Sequence, residues 1–360
     1  MPAWAGAPLT RFLRDMVVRR ASDLLFVAGW PPTFNVAGHW APSEWGDLSE
    51  ADIRNWLSVV FTEAQKQKFE TVCDVDFALR LPGMGRFRVN AHVQSQEAAV
   101  AIRAIPSDVP QLADLGLPED AARLAGYPNG LVLVTGGAGH GKSTTLAALI
   151  NQLNETRACH IITLEDPVEF EFPRGLAVIE QREIGIDSPN FASALRHVVR
   201  QRPDVILIGE MRDLETIATA LTAAETGHLV LASLHTNGAV QALARIIDVF
   251  PAAQQQHVRT QVAASLRAIM CQVLLPTKDG RGRVPAAELL FATDAVRRAI
   301  RDNETHLIHG IIETGRNSGM ITLEQSLANR AKSGQLDPAV ARLAAAQVDR
   351  FDRLMLPRHE

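Results

Sequence analysis

The chain has 360 residues, with 36 basic against 40 acidic side chains and a formal net charge of -4. That length suggests two domains of roughly 150 residues and leaves room for a cleft between them. The near balance of charge, with no long block of either sign, argues against whole-surface binding to nucleic acid or anionic lipid, and 5% aromatic residues provide few stacking platforms for single strands.

The first stretch, "MPAWAGAPLTRFLRDMVVRR", mixes charged and apolar residues and has neither the apolar core of a signal peptide nor that of an anchor. The greasiest run further on, "VAASLRAIMCQVLL", is too short to span a bilayer and carries Arg267, so no direct membrane insertion is expected. Residues 1–104 combine short β-like runs ("DLLFVAG", "VDFALRL", "GRFRVNAHV") with an amphipathic segment after Ser49, as in a small α+β domain. A proline-containing stretch over 105–128 is expected to be a linker with one short helix.

From Gly130 the pattern changes. Four apolar runs, "LVLVTG", "HIITLED", "DVILIGE" and "HLVLASLH", alternate with helical segments, which indicates a parallel sheet covered on both faces. After about residue 250 the chain is expected to be mostly helical, and "AAQQQHVRTQVAASLRAIMCQVLL" has its apolar residues at helical spacing. Cys73, Cys159 and Cys271 are odd in number and widely spaced, and read as reduced small hydrophobes rather than a disulfide set or zinc site.

In an open α/β sheet ligands collect at the carboxyl ends of the strands, so the residues ending these four runs are candidates for chemistry. The first run leads into Gly136-x-x-x-x-Gly141-Lys142-Ser143, the phosphate-loop spacing between a strand and a helix. Gly136, Gly137, Ala138, Gly139, His140, Gly141, Lys142, Ser143 and Thr144 form the candidate nucleotide-binding set. Backbone N–H groups of such a loop face phosphate, Lys142 adds a point charge, and Ser143 offers a hydroxyl to Mg²⁺. The second run ends in Glu165, a carboxylate placed to polarise water or to reach the metal. Beyond the third stands Glu210, the natural candidate to orient and deprotonate the attacking water. His228 precedes the fourth run and His235 follows it. Alone, each of these is a commonplace strand-end residue; together, beside a phosphate loop, they point to ATP hydrolysis.

The segments "GGAGHGKSTTLAALI", "ITLEDPVEF", "DVILIGEMRDLETIATALTAAETGHLVLASLHT" and "RIIDVFPAAQQQHVR" resemble the secretion-type ATPases, and within them the PilT-like pilus retraction motors. The resemblance extends over nearly the whole chain. It implies a PAS-like N-terminal α+β domain over 1–104, then a RecA-like P-loop ATPase domain with C-terminal helices over 129–360. It further implies that Lys142 and Ser143 act in the Walker A motif, that Glu165 belongs to an acidic box, and that Glu210 is the Walker B general base. His228 and His235 correspond to the histidine box, and Arg86, Arg88 and Arg103 to arginines that approach the nucleotide from the N-terminal domain. The loop departs from the family's usual Pro and Ser at Gly137 and His140, and Leu25 and Asn35 stand where a His and an Arg are usual.

The resemblance also implies ATP and Mg²⁺ as cofactors, a homohexamer, an inner-membrane pilus platform protein and a paralogous pilus ATPase as partners, and a cytoplasmic location at the inner face of the membrane. Twitching motility through pilus retraction is then the expected function. A compact secretion or conjugation ATPase, a non-hydrolysing regulator and a DNA-pumping motor are the alternatives.

Overall fold

The computed structural model describes residues 8–356 apart from 37, 82 and 107, so the opening seven residues of the N-terminal stretch lie outside the described residues. The chain divides into two compact units, Met1–Asp108 with Glu169–Glu171, and Val109–Val168 with Phe172–Glu360.

The first unit contains strands β1 (Asp23–Val27), β2 (Thr33–Val36), β3 (His39–Pro42), β4 (Asp74–Leu81), β5 (Gly85–Gln94) and β6 (Glu97–Ile105). They pair antiparallel in the order β3-β2-β1-β6-β5-β4. Period-2 alternation sorts the sheet into two faces: Leu24 and Phe26 are buried, while Asp23, Leu25 and Val27 are only half-buried. The buried face packs with Phe12, Met16, Ile53, Trp56 and Phe69 from three helices. The Trp56 indole, fully inside, donates to the Thr10 hydroxyl at 3.1 Å, which satisfies its one polar atom.

The amphipathic segment after Ser49 folds as two helices, Glu50–Val60 and Glu63–Val72. The break has a local cause. Ser49 with Asp52 and Thr62 with Gln65 each form a capping box, so the second helix starts afresh at Thr62.

The second unit holds β7 (Gly130–Thr135), β8 (His160–Glu165), β9 (Val178–Glu183), β10 (Val205–Ile208), β11 (Leu229–Leu234), β12 (Leu266–Pro276) and β13 (Arg283–Phe291). Their order is β13-β12-β7-β11-β10-β8-β9, parallel except for the β12–β13 hairpin. Strands β7, β10 and β11 are buried at every residue, as strands covered on both faces must be.

Two expectations need correction. The run "AAQQQHVRTQVAASLRAIMCQVLL" is helical only over Ala252–Ser265, after which Leu266–Pro276 is a strand. A continuous apolar run fits a buried strand as well as a buried helix, and here pairing with β7 and β13 decides. The proline-containing stretch forms two 3₁₀ segments, Leu112–Leu115 and Glu119–Gly126, rather than one helix. Their Leu112, Leu124 and Ala125 are built into the core of the second unit. Helices from Leu323 onward close a smaller apolar cluster around Val273, Val284, Leu327 and Phe351.

Candidate functional site

The phosphate loop begins where β7 ends and closes at the helix Lys142–Thr156. Gly136 is required by space: at its φ of +146° a side chain would meet the Gln272 carbonyl oxygen at 2.4 Å. Gly141, at φ +82°, turns the chain into the helix. Lys142 is buried and its Nζ donates to the Gly136 and Gly137 carbonyls at 2.9 and 2.8 Å, while Ser143 is exposed. The lysine therefore rests on the loop's own oxygens, in reach of an arriving phosphate that would outcompete those neutral acceptors.

The neighbouring strand ends converge on the same edge of the sheet. Because β7, β11, β10 and β8 are adjacent and parallel, the loop, His235, Glu210 and Glu165 follow their carboxyl ends in that spatial order. Glu165 is held by the Thr163 hydroxyl at 2.6 Å and the Gln181 amide at 3.1 Å. One Glu210 carboxylate oxygen accepts from Arg212 at 2.6 Å and lies 3.3 Å from His235 Nε2. Burial opposes ionisation of Glu210, but the Arg212 hydrogen bond and the charges of His235 and Arg212 outweigh it and hold the carboxyl below its ordinary range. The same contact raises Arg212.

Gly209 lies where two strand ends come close. A side chain there would press on the Leu164 carbonyl and the Glu165 backbone, 3.1 and 3.3 Å away, where β10 and β8 end side by side. The Ser233 hydroxyl donates to the Gly209 carbonyl and ties β11 to the same turn.

His228 is not brought to this edge. It precedes β11, at the far end of the strand from His235, a separation of about 20 Å for six residues of strand. There its Nδ1 lies 3.0 Å from the Ala223 carbonyl and its own carbonyl accepts from Gly130. Arg86, Arg88 and Arg103 belong to the first unit. Arg88 and Arg103 are directly opposite on β5 and β6, flanked by Asp76 at 3.9 Å from Arg88 and Asp23 at 2.7 Å from Arg103. They line an open cleft of about 430 Å³ with Asn35, Trp40 and Asn90. Arg86 pairs with Arg80 across β4 and β5.

Two residues of the site carry no sequence motif. Gln272, on the strand taken for helix, reaches the loop from β12, and Glu288 on β13 accepts from the Ala239 N–H at the start of the helix after His235. Burial first, then the Glu324 charge, pushes Glu288 up to about 6, against the pull of that N–H. Neither could be found without the hairpin, because the partner of Gln272 lies 132 residues away and that of Glu288 lies 49 away.

A phosphate loop at the carboxyl end of a doubly covered parallel sheet, with a glutamate and a histidine at the next strand ends, defines a P-loop nucleotide hydrolase. Residues 73–336 match the model of the family described as "Type II/IV secretion system protein". The chain is 42% identical to the "Twitching motility protein" of Neisseria gonorrhoeae, covering 96% of this chain and 93% of that one. It is 40% identical to the "Type IV pilus retractation ATPase PilT" of Pseudomonas aeruginosa, over 95% and 99%. The crystal structure of the pilus retraction motor PilT with bound ADP superposes with a TM-score of 0.89 at 38% identity, covering 98% and 99% of the two chains. The chain belongs to the type II/IV secretion system protein family, among its PilT-like ATPases, with the N-terminal domain and RecA-like ATPase domain of that group. It is an ATP-hydrolysing, nucleotide-binding enzyme. Among the described residues no helix is long and apolar enough to cross a membrane.

Proposed function

We propose that this chain is a motor that hydrolyses ATP to retract a type IV pilus, acting as a homohexameric ring. The observation that supports this most is the whole-chain likeness to an ADP-bound retraction motor, in a molecule that keeps Lys142, Glu165, Glu210 and His235 on one sheet edge. In this reading the N–H groups of residues 136–144 and Lys142 bind the β- and γ-phosphates. Glu210, ionised and oriented by Arg212 and His235, positions and deprotonates the attacking water. His235 senses the γ-phosphate, and His228, at the other end of β11, acts from a separate position.

Mg²⁺ fits the residues present: Ser143 is an exposed hydroxyl on the first turn of the loop helix, and Glu165 is a half-buried carboxylate held in place by Thr163 and Gln181. Ser143 would hold the ion and Glu165 would reach it, and the ion would neutralise charge on the phosphates. Arg86, Arg88 and Arg103 supply guanidinium groups to the γ-phosphate from the N-terminal domain, and nucleotide-dependent rotation of rigid domains transmits force. The ring works in the cytoplasm at the inner face of the membrane, against a platform protein and beside a paralogous pilus ATPase.

Steady-state phosphate release from the wild type and Glu210→Gln tests the chemistry. Loss of the general base is expected to lower turnover by about 10²–10⁴-fold; equal rates would remove Glu210 from its role. Deleting the gene tests the biology. Cells with excess pili that do not twitch are expected, whereas bald cells would assign the motor to assembly.

A further inference from the structure

From the contacts between β12 and the phosphate loop, we infer that Gln272 is a positioning residue for nucleotide binding: its amide fixes the direction in which the Gly141 N–H points. The inference rests on the loop being the nucleotide site, as proposed above. Gln272 is almost wholly buried, and both ends of its amide are used. Its Nε2 donates to the His140 carbonyl at 2.7 Å and its Oε1 accepts from the Thr145 hydroxyl at 2.9 Å. Thr145 is itself buried, one turn into the helix that follows the loop. The amide therefore bridges the last residues of the loop to the helix, and its orientation is fixed by the His140 carbonyl, which can only accept, whereas the Thr145 hydroxyl could serve either atom.

The consequence follows from peptide geometry. The His140 carbonyl and the Gly141 N–H belong to one planar trans peptide and point in opposite directions. Holding the carbonyl toward β12 therefore turns the N–H away from β12, to the side open to phosphate. Gly141 marks the same contact, since a side chain there would lie 3.2 Å from Gln272 Nε2, and Gly136 marks the close approach of the two main chains, where a side chain would strike the Gln272 backbone carbonyl. The register is set just before, where Cys271 pairs with Thr135 at the end of β7.

The test is ADP affinity by calorimetry, together with KM and kcat for ATP, on the full-length protein. Gln272→Met keeps the volume and removes both bonds, so ADP binding should weaken by about tenfold or more. KM should rise with kcat little changed, because the N–H serves bound nucleotide and transition state alike. A residue that only supported the fold would lower kcat and thermal stability together. Gln272→Glu supplies the sharper readout. An ionised carboxylate has no donor for the His140 carbonyl, whereas a protonated one has an O–H in place of Nε2. ADP affinity relative to wild type should therefore recover as the pH falls from about 8 to about 5.5, the range in which a buried carboxyl takes up its proton. Gln272→Met should show no such recovery. Thr145→Val, which leaves the His140 bond in place, should weaken binding less than Gln272→Met, and it supports the comparison if the methionine variant folds poorly. Wild-type affinity in Gln272→Met, or a glutamate variant that tracks the methionine one at every pH, would overturn the inference. A wild type that binds no ADP would overturn the nucleotide site itself.

Discussion

In the second unit, strands β7, β10 and β11 bury every residue, and polar chemistry begins only where the strands stop. In the first unit, β1 alternates buried and half-buried positions, and Arg88 and Arg103 stand opposite each other within β5 and β6 on the open face rather than at strand ends. The difference teaches where function can be placed on each sheet. A sheet covered on both faces confines reactive groups to its carboxyl edge, where neighbouring strand ends hold them in fixed order. A sheet with one bare face can display charged groups in mid-strand, as with the exposed Arg103 held by the half-buried Asp23.

Replacing an open-face arginine should therefore separate activity from stability. Arg103→Ala breaks an exposed pair, which is worth under about 1 kcal/mol, while a guanidinium on the γ-phosphate contributes about 10³-fold or more to turnover. The expected outcome is a large loss of phosphate release with an almost unchanged melting temperature. Unchanged turnover would leave the arginines as a solvated face.

The covered sheet should respond in the opposite way, through stability that depends on pH. Glu288 titrates near 6 against an ordinary value of 4.5, so the folded state holds its proton more tightly than the unfolded one. Ionisation then costs stability as the pH rises from about 4.5 to about 6, a penalty on the order of 2 kcal/mol that is complete above that range. Glu288→Gln keeps an acceptor for the Ala239 N–H and removes the penalty. It should stabilise the protein at pH 8 and make no difference at pH 4.5, as measured by denaturant unfolding.

At the strand ends, Arg212→Ala should move the acid limit of turnover. Glu210 is held below its ordinary range by Arg212 and His235, so wild-type activity fails only when the pH falls through that lowered value. Without Arg212 the carboxyl takes up its proton earlier, and the acid limb of the kcat profile should shift to higher pH. An unmoved limb would show that Glu210 is not the group that titrates.

The carboxyl-edge site was legible in the sequence because each part is local: a glycine spacing, an apolar run, one residue after it. Glu165, Glu210 and His235 needed only the rule that parallel strands present their ends together. The hairpin was not legible, since "LRAIMCQVLL", apolar but for Arg267 and Gln272, has no period that separates helix from strand, and only pairing with β7 and β13 makes it a strand. With that strand went Gln272 and Glu288, whose partners are remote in sequence. His228 was readable as the residue before the fourth run, and β11 places it at the opposite end from His235; what had grouped the two was the histidine box of the resemblance, which carries no distance.

The smallest effect tests whether the first unit's helices are set by local capping rather than by the shared core. The helix Glu63–Val72 buries only Phe69, so little packing holds it, and its start depends on Thr62 and Gln65 satisfying each other's N–H groups. Thr62→Ala removes one half of that box at a cost of about 1 kcal/mol. Local opening of the helix should become about fivefold more frequent, read as faster hydrogen exchange at the Gln65 to Phe69 amides. Thr62 carries none of the groups assigned to the phosphate site, so phosphate release should stay at its wild-type rate. Exchange left unchanged would mean that the core around Phe61, Phe69 and Phe77, whose rings meet at 5.5 and 5.2 Å, holds the helix without its cap.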